Sequence, residues 1–211
     1  MIKNILFDFD GVLAESVEVK TNAFRKMYEK YGEKIATQVA EHHQNNGGMS
    51  RFEKFKIYHG EWLGHTITED LIKKLSAEFS NIVIDEVINC PEVPGTKEFL
   101  DSYSNTLKFW VITGTPTDEI KLILEKRKMI HYFVDVFGSP TGKVEWVGEI
   151  LEKWKLKPEE TIFVGDALSD YKAASAHNLK FILRATNENK NLFNDYAGPI
   201  INDLYDLQKL I

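Results

Sequence analysis

Residues 5–16, Ile5-Leu6-Phe7-Asp8-Phe9-Asp10-Gly11-Val12-Leu13-Ala14-Glu15-Ser16, begin as an apolar run and reach two aspartates and a glycine. The run from Ile5 to Phe9 reads as a buried strand. Asp8 and Asp10 are two residues apart, so an extended backbone sends both carboxylates to one face and Phe7 and Phe9 to the other. Gly11 frees the backbone to turn. Two carboxylates held together need a cation or a shared proton. A fold accepts that cost where chemistry uses it.

The 211 residues suffice for one large domain or for a core with a small insert. With 43% hydrophobic and 27% charged residues, the balance is that of a soluble globular protein. A net charge of -6 argues against a nucleic-acid surface. The lone cysteine, Cys90, has no internal disulfide partner, fits a reducing compartment and reads as structural ahead of Pro91. No stretch at the amino terminus has the length of a signal peptide, and no window approaches a membrane span. A cytoplasmic protein with neither nucleic acid nor membrane as partner is expected.

Outward from the opening strand, helical patterns cover Ser16–Tyr31, Glu33–His43, Arg51–Tyr58 and Thr68–Glu86. Ser50 and Thr68 stand as caps of the last two. From Pro94 the pattern alternates. Strands are expected at Leu107–Ile112, Val134–Phe137, Thr161–Val164 and Phe181–Leu183. Helices are expected at Thr96–Tyr103, Thr117–Lys128, Lys143–Trp154, Asp170–His177 and Asp203–Leu210. Such alternation predicts an α/β fold with a mostly parallel sheet covered on both faces. The helices before Pro91 then form an insertion: a core of residues 1–15 and 92–211, and a helical cap of residues 16–91.

Functional groups of such sheets gather at the carboxyl ends of the strands. Three predicted strand ends carry them: Asp8 with Asp10, Thr113, and Asp166. A carboxylate cluster there asks for a hard divalent cation, and Mg2+ binds oxygen ligands beside phosphate. Asp170 lies one helical turn from Asp166. Thr113 with the Gly114 amide suits phosphate oxygens. Lys143, at the start of a helix, can offset the charge of nucleophile and phosphate. The segment ending in Gly142-Lys143 is not a P-loop, because Phe137 replaces the first glycine and Val144 follows the lysine.

These residues resemble the four motifs of the haloacid dehalogenase superfamily, in order and across essentially the whole chain. Asp8-Phe9-Asp10-Gly11-Val12 matches the first, Thr113 the second, Lys143 the third, and Gly165-Asp166 with Asp170 the fourth. The resemblance implies a Rossmann-like three-layer core. The helical insertion is similar to the cap of phosphoglycolate phosphatases and beta-phosphoglucomutase. It also implies roles. Asp8 would attack phosphorus, and Asp10 would act as acid and then base. Mg2+ would be held by Asp8, the Asp10 carbonyl and Asp166, with Asp170 as a further ligand or an orienting group. Thr113, Gly114 and Lys143 would hold phosphoryl oxygens. Dehalogenases of the superfamily lack the acid, so Asp10 points to phosphate chemistry.

The cap is expected to choose the substrate. Asn45–Phe55 carries Gly47 and Gly48 for close approach to the core, and Arg51 and Lys54 three residues apart. By resemblance to the mutase cap loop, Arg51 is expected to touch substrate first and Lys54 second. His42, His43 and His59 read as polar surface without metal-ligand spacing. Phe52 and Trp62 read as packing residues. Lys20 stands where the mutase has a histidine, which favours hydrolysis over transfer, and Ser16 where it has a threonine, a mild change. The expected function is an Mg2+-dependent phosphomonoester hydrolase of a small phosphorylated metabolite, a sugar phosphate or a phosphoglycolate-like acid, as a monomer or weak homodimer. A sugar-phosphate mutase and a non-catalytic binding protein are the alternatives.

Overall fold

The computed structural model describes all 211 residues. Six strands form one sheet: β1 (Asn4–Phe7), β2 (Lys108–Pro116), β3 (Phe133–Ser139), β4 (Thr161–Gly165), β5 (Lys180–Arg184) and β6 (Ile200–Ile201). Their spatial order is β3-β2-β1-β4-β5-β6, and every pairing is parallel. The expected α/β class is the observed one. Neighbours of β1 lead away in opposite chain directions, so a crevice opens beyond its carboxyl end.

Alternation along the strands builds three layers. Ile5 and Phe7, Phe109 and Val111, and Ile162 and Val164 face one side and pack in the larger apolar cluster. Leu6, Trp110, Ile112 and Phe163 face the other. The first face is covered by α5 (Thr96–Tyr103), α6 (Thr117–Lys126) and α9 (Leu204–Leu207), through residues such as Phe99, Ile120 and Leu204. The second is covered by α7 (Lys143–Lys153) and α8 (Leu168–Ala176), through Val147, Ile150 and Ala173. Both faces are dry, which is why the strands lack polar alternation.

Between β1 and α5 the chain is helical: α1 (Val17–Tyr28), α2 (Glu33–Asn45), α3 (Arg51–Phe55), a π-helical segment (Lys56–Trp62) and α4 (Glu69–Asn89). Ser50 and Thr68 accept hydrogen bonds from Glu53 N and Leu71 N, as caps do. These helices pack around Phe24, which lies 4.1 Å from Phe79 and 5.9 Å from Phe55 and Tyr58. The apolar cluster runs from this insert onto the sheet without a break. The chain leaves and re-enters the core side by side: Ala14 bridges Glu92, and Glu15 N donates to Pro91 O at 2.9 Å. Arg127 of the core clasps the carbonyls of Val87, Ile88 and Cys90 at the end of α4. Cys90 is half-buried there.

Several elements differ from expectation. β1 stops at Phe7, because the Asp8 carboxylate accepts from Phe9 N and Phe9 O accepts from Leu13 N and Ala14 N, which turns the chain early. Strand alternation therefore does not extend to Asp10. The helix expected over Arg51–Tyr58 gives way to the π-helical segment after Phe55, and no single residue explains the change. β6 is two residues long, too short for a periodic signal. No helix is long and apolar enough to cross a membrane.

Candidate active site

Asp8 follows β1 directly and is 3% exposed. Lys143, the first residue of α7, reaches it at 2.9 Å and reaches Asp170 of α8 at 2.6 Å. Asp170 is wholly buried, and its second oxygen accepts from Ala167 N at 3.0 Å. That bond caps α8, so Asp170 locks the helix start and the lysine together. Asp166, just past β4, completes the group: carboxylate oxygens of Asp8, Asp166 and Asp170 lie within 4.8 Å of one another. The buried Asn189 amide donates to Asp166 O at 2.8 Å and fixes the backbone there. Gly11 turns with φ +73°, and a Cβ on it would stand 2.3 Å from Asp166 Oδ2. The turn and the carboxylate cannot share that space with a side chain.

Three carboxylates here share one ammonium. Burial pushes the Asp8 carboxyl up to about 7 against the pull of Lys143, with Asp170 and Asp10 adding repulsion. Burial, then Asp8 and Asp170, raises Asp166 well above the usual carboxylate range. Burial works against the Lys143 ammonium, but Asp170 and Asp8 outweigh it and hold the charge. The Asp166 carboxylate has no hydrogen-bonding or ionic partner of its own, and the Asp10 carbonyl accepts no backbone hydrogen bond. An excess of buried oxygen charge with unused lone pairs fits a hard divalent cation. Each Asp170 oxygen already accepts one hydrogen bond, from Lys143 and from the Ala167 amide, which suits an orienting role.

The Asp10 carboxylate turns away from that cluster. It accepts from Ser16 Oγ at 2.6 Å, Lys20 Nζ at 2.5 Å, Thr115 Oγ1 at 3.2 Å and Thr113 Oγ1 at 3.3 Å. Lys20 also donates to Thr115 Oγ1 at 2.6 Å. Burial raises the Asp10 carboxyl, yet Lys20 and Ser16 together bring it below the usual value. Thr113–Thr115 drop out of register with β3 between Ile112 and Pro116, which points these hydroxyls inward.

The insert lies on the site. A Cβ on Gly48 would meet Ser169 Oγ at 1.7 Å, and Gly48 O lies 3.3 Å from where a Cβ of Gly114 would be. Below this loop a chamber of about 40 Å³ is lined by Asp8, Asp10 and Asp166 from the core and by Lys20, His43, Arg51 and Lys54 from the insert. Beside it opens a cleft of about 570 Å³ that includes Thr113, Gly114, Lys143 and Asp166. Arg51 forks onto Glu119 of α6 at 2.8 and 2.5 Å and donates to Ser80 Oγ at 2.7 Å, over the face of Phe79. Lys54, 1% exposed, meets His43 Nδ1 at 2.7 Å.

A profile described as "Haloacid dehalogenase-like hydrolase" matches residues 5–184. The chain belongs to this family. Among curated relatives of this hydrolase is the phosphorylated carbohydrates phosphatase of Thermotoga maritima, 27% identical over 206 residues, covering 93% of each chain. A phosphoglycolate phosphatase of Aliivibrio fischeri is 26% identical over 188 residues, covering 83% of this chain and 80% of its own. Among solved structures, a beta-phosphoglucomutase from Clostridium difficile shares the fold at a TM-score of 0.78 and 22% identity, covering 98% of this chain and 93% of that one.

The hydrolase thus brings Asp8, Asp10, Thr113, Gly114, Lys143, Asp166 and Asp170 to one crevice, with Arg51 and Lys54 facing it from the insert. It corrects other expectations. His43 and His59 are 4% and 3% exposed, so neither is surface. Trp62 packs on Tyr58, whereas Phe52 stays outside the apolar cluster. Thr115, Glu119, His43 and Asn189 have roles that no motif announced. Only Thr115 left a signal, as the second hydroxyl of the Thr-Gly-Thr-Pro turn.

Proposed function

We propose that this chain is an Mg2+-dependent phosphomonoester hydrolase of small phosphorylated metabolites, working through an aspartyl-phosphate on Asp8. Residues 1–15 and 92–211 act as the catalytic core and residues 16–91 as a cap. The observation that carries this is the buried Asp8 carboxylate, 2.9 Å from Lys143 and grouped with Asp166 at the crevice of a parallel sheet. The names of the phosphatase relatives support the same chemistry.

An Asp8 oxygen attacks phosphorus while the ester P–O bond breaks, and Asp10 gives its proton to the leaving oxygen. Water then attacks the phosphorus of the aspartyl-phosphate, Asp10 takes a proton from it, and inorganic phosphate leaves with the Asp8 carboxylate restored. Lys143, Thr113 and the Gly114 amide hold the phosphoryl oxygens in line. Asp8, Asp166 and the Asp10 carbonyl would hold Mg2+, and Asp170 keeps Lys143 in place. When bound, the cation offsets the charge shared by the carboxylate and the phosphoryl group.

The ammonium of Lys20 on Asp10 supports hydrolysis rather than transfer, because it keeps the base ionised for water. Release of phosphate from a panel of metabolite esters, with Mg2+ and with chelator, tests the proposal. Turnover is expected only with Mg2+ and none from Asp8→Asn. Activity that survives that variant overturns the mechanism. Conversion of a hexose 1-phosphate to its 6-phosphate without phosphate release would instead identify a mutase.

A further inference from the structure

We propose that Lys54, supported by His43, recognises the end of the substrate remote from the phosphoryl group, that this end is a carboxylate, and that Arg51 does not perform this task. The proposal rests on the phosphatase function above and narrows its substrate class.

Each buried cation at the crevice has an anionic partner except one. Lys143 has Asp8 and Asp170. Lys20 has Asp10. Arg51 spends its guanidinium on both oxygens of Glu119 and on Ser80. Lys54 has no carboxylate within ion-pair distance. Its single recorded hydrogen bond is to His43 Nδ1, and its head lies 5.5 Å from the centre of the Phe24 ring. An ammonium carries three donors, so two have no protein acceptor.

A buried ammonium without an anion is costly, and the cost falls when an anion arrives. Burial and then the Lys20 ammonium hold Lys54 well below its usual range, Arg51 adding repulsion and Asp10 and Glu53 offsetting only part of it, and burial with Lys54 does the same to His43. The site is thus short of negative charge, on a wall of the same chamber as Asp8 and Asp166. Lys54 is the one buried cation of this chamber without an anion, and a carboxylate supplies the single negative charge that balances it, where a second phosphate would bring two. The chamber adjoins the cleft holding Thr113 and Lys143. A molecule with a phosphoryl group on Lys143 and a carboxylate on Lys54, a few bonds apart, matches both ends.

The test compares kcat/KM for 2-phosphoglycolate with that for 2-hydroxyethyl phosphate, which has a hydroxymethyl group in place of the carboxylate. The wild-type enzyme is expected to prefer the acid on the order of 10- to 100-fold, as for a charge-assisted hydrogen bond in a dry site. Lys54→Met is expected to reduce this preference to within about threefold. The paired variant Arg51→Met/Glu119→Leu, which leaves no lone buried charge, is expected to keep it. A wild-type preference near unity overturns the proposal without any variant. So does a preference that survives Lys54→Met, or one lost equally in the paired variant. Turnover of other esters of the metabolite panel but of neither of these two overturns the proposal. If no ester of the panel is turned over, the phosphatase function fails. Thermal stabilisation by the same two compounds then decides the Lys54 site, with equal shifts overturning it.

Discussion

Lys20 and Asp10 form a part-buried ion pair at 2.5 Å, tied on one side by Ser16 and on the other by Thr115. The contact favours the ionised carboxylate, which in the proposed mechanism takes a proton from water, and disfavours the protonated form, which there serves the leaving group. Lys20→Met is therefore expected to slow hydrolysis of the intermediate on the order of 100-fold. An aryl phosphate, whose leaving group needs little protonation, then gives a burst of phenol followed by slow turnover. Rapid-quench kinetics reads the burst, and an unchanged kcat with no burst rejects this role for Lys20.

The fork between Arg51 and Glu119 joins the insert to α6, with both side chains under 10% exposed. Removing one partner leaves the other buried and uncompensated. Glu119→Gln is expected to cost about 3 kcal/mol in urea unfolding. Arg51→Met/Glu119→Leu is expected to recover most of that loss, since a packed apolar pair carries no desolvation penalty. Additive losses in the cycle contradict a coupled pair.

Asp166 is the member of the acidic group without a partner, so it strains the protein when no cation is present. Asp166→Asn is expected to raise the thermal midpoint of chelator-treated protein by about 3 °C, a shift equal to roughly 1 kcal/mol at this chain length. Mg2+ is expected to stabilise the wild type and leave the variant unchanged. Differential scanning fluorimetry reads both. A variant that Mg2+ stabilises as strongly as the wild type removes Asp166 from the ligand set.

Much of this site was legible in the sequence because the chemistry rides on strand ends, and a strand end carries its own local signature. Asp8, Thr113 and Asp166 each follow an apolar run. Lys143 and Asp170 each sit in the first turn of a helix, where position dictates direction. Partners chosen by packing left no such trace. Glu119 meets Arg51 across 68 positions of sequence, and both look like surface charges on amphipathic helices. His43 reads as a polar helix end, but the Phe24 ring, tilted against it at 4.8 Å, closes it in. The shortened first strand was hidden for another reason: the turn after Phe7 is built from hydrogen bonds that Asp8 and Phe9 make to their own neighbours.

His43 also sets a pH dependence. Burial and the Lys54 ammonium hold its imidazole well below 6.5, so the folded protein keeps it neutral where the unfolded chain is protonated. Stability from this group is present above about pH 6.5 and falls as the pH drops, by at most about 1.4 kcal/mol per unit. Asp8 and Asp166, raised in the fold, contribute with the opposite sign. The difference between wild type and His43→Asn cancels their share. Urea unfolding at about pH 7.5 and about pH 5.5 is expected to show a steeper acid loss in the wild type. Parallel curves contradict the burial of a neutral ring.

The two crossings between sheet and insert are held together by the Ala14–Glu92 bridge and the Glu15–Pro91 hydrogen bond. A segment whose ends meet in this way can be lengthened, shortened or exchanged without moving either flanking strand. Changes within the insert are thereby kept from the register of the sheet. A grafted set of helices has to meet this seam, fastened by Arg127, and also to replace the Lys20–Asp10 and Arg51–Glu119 contacts and the shared apolar cluster.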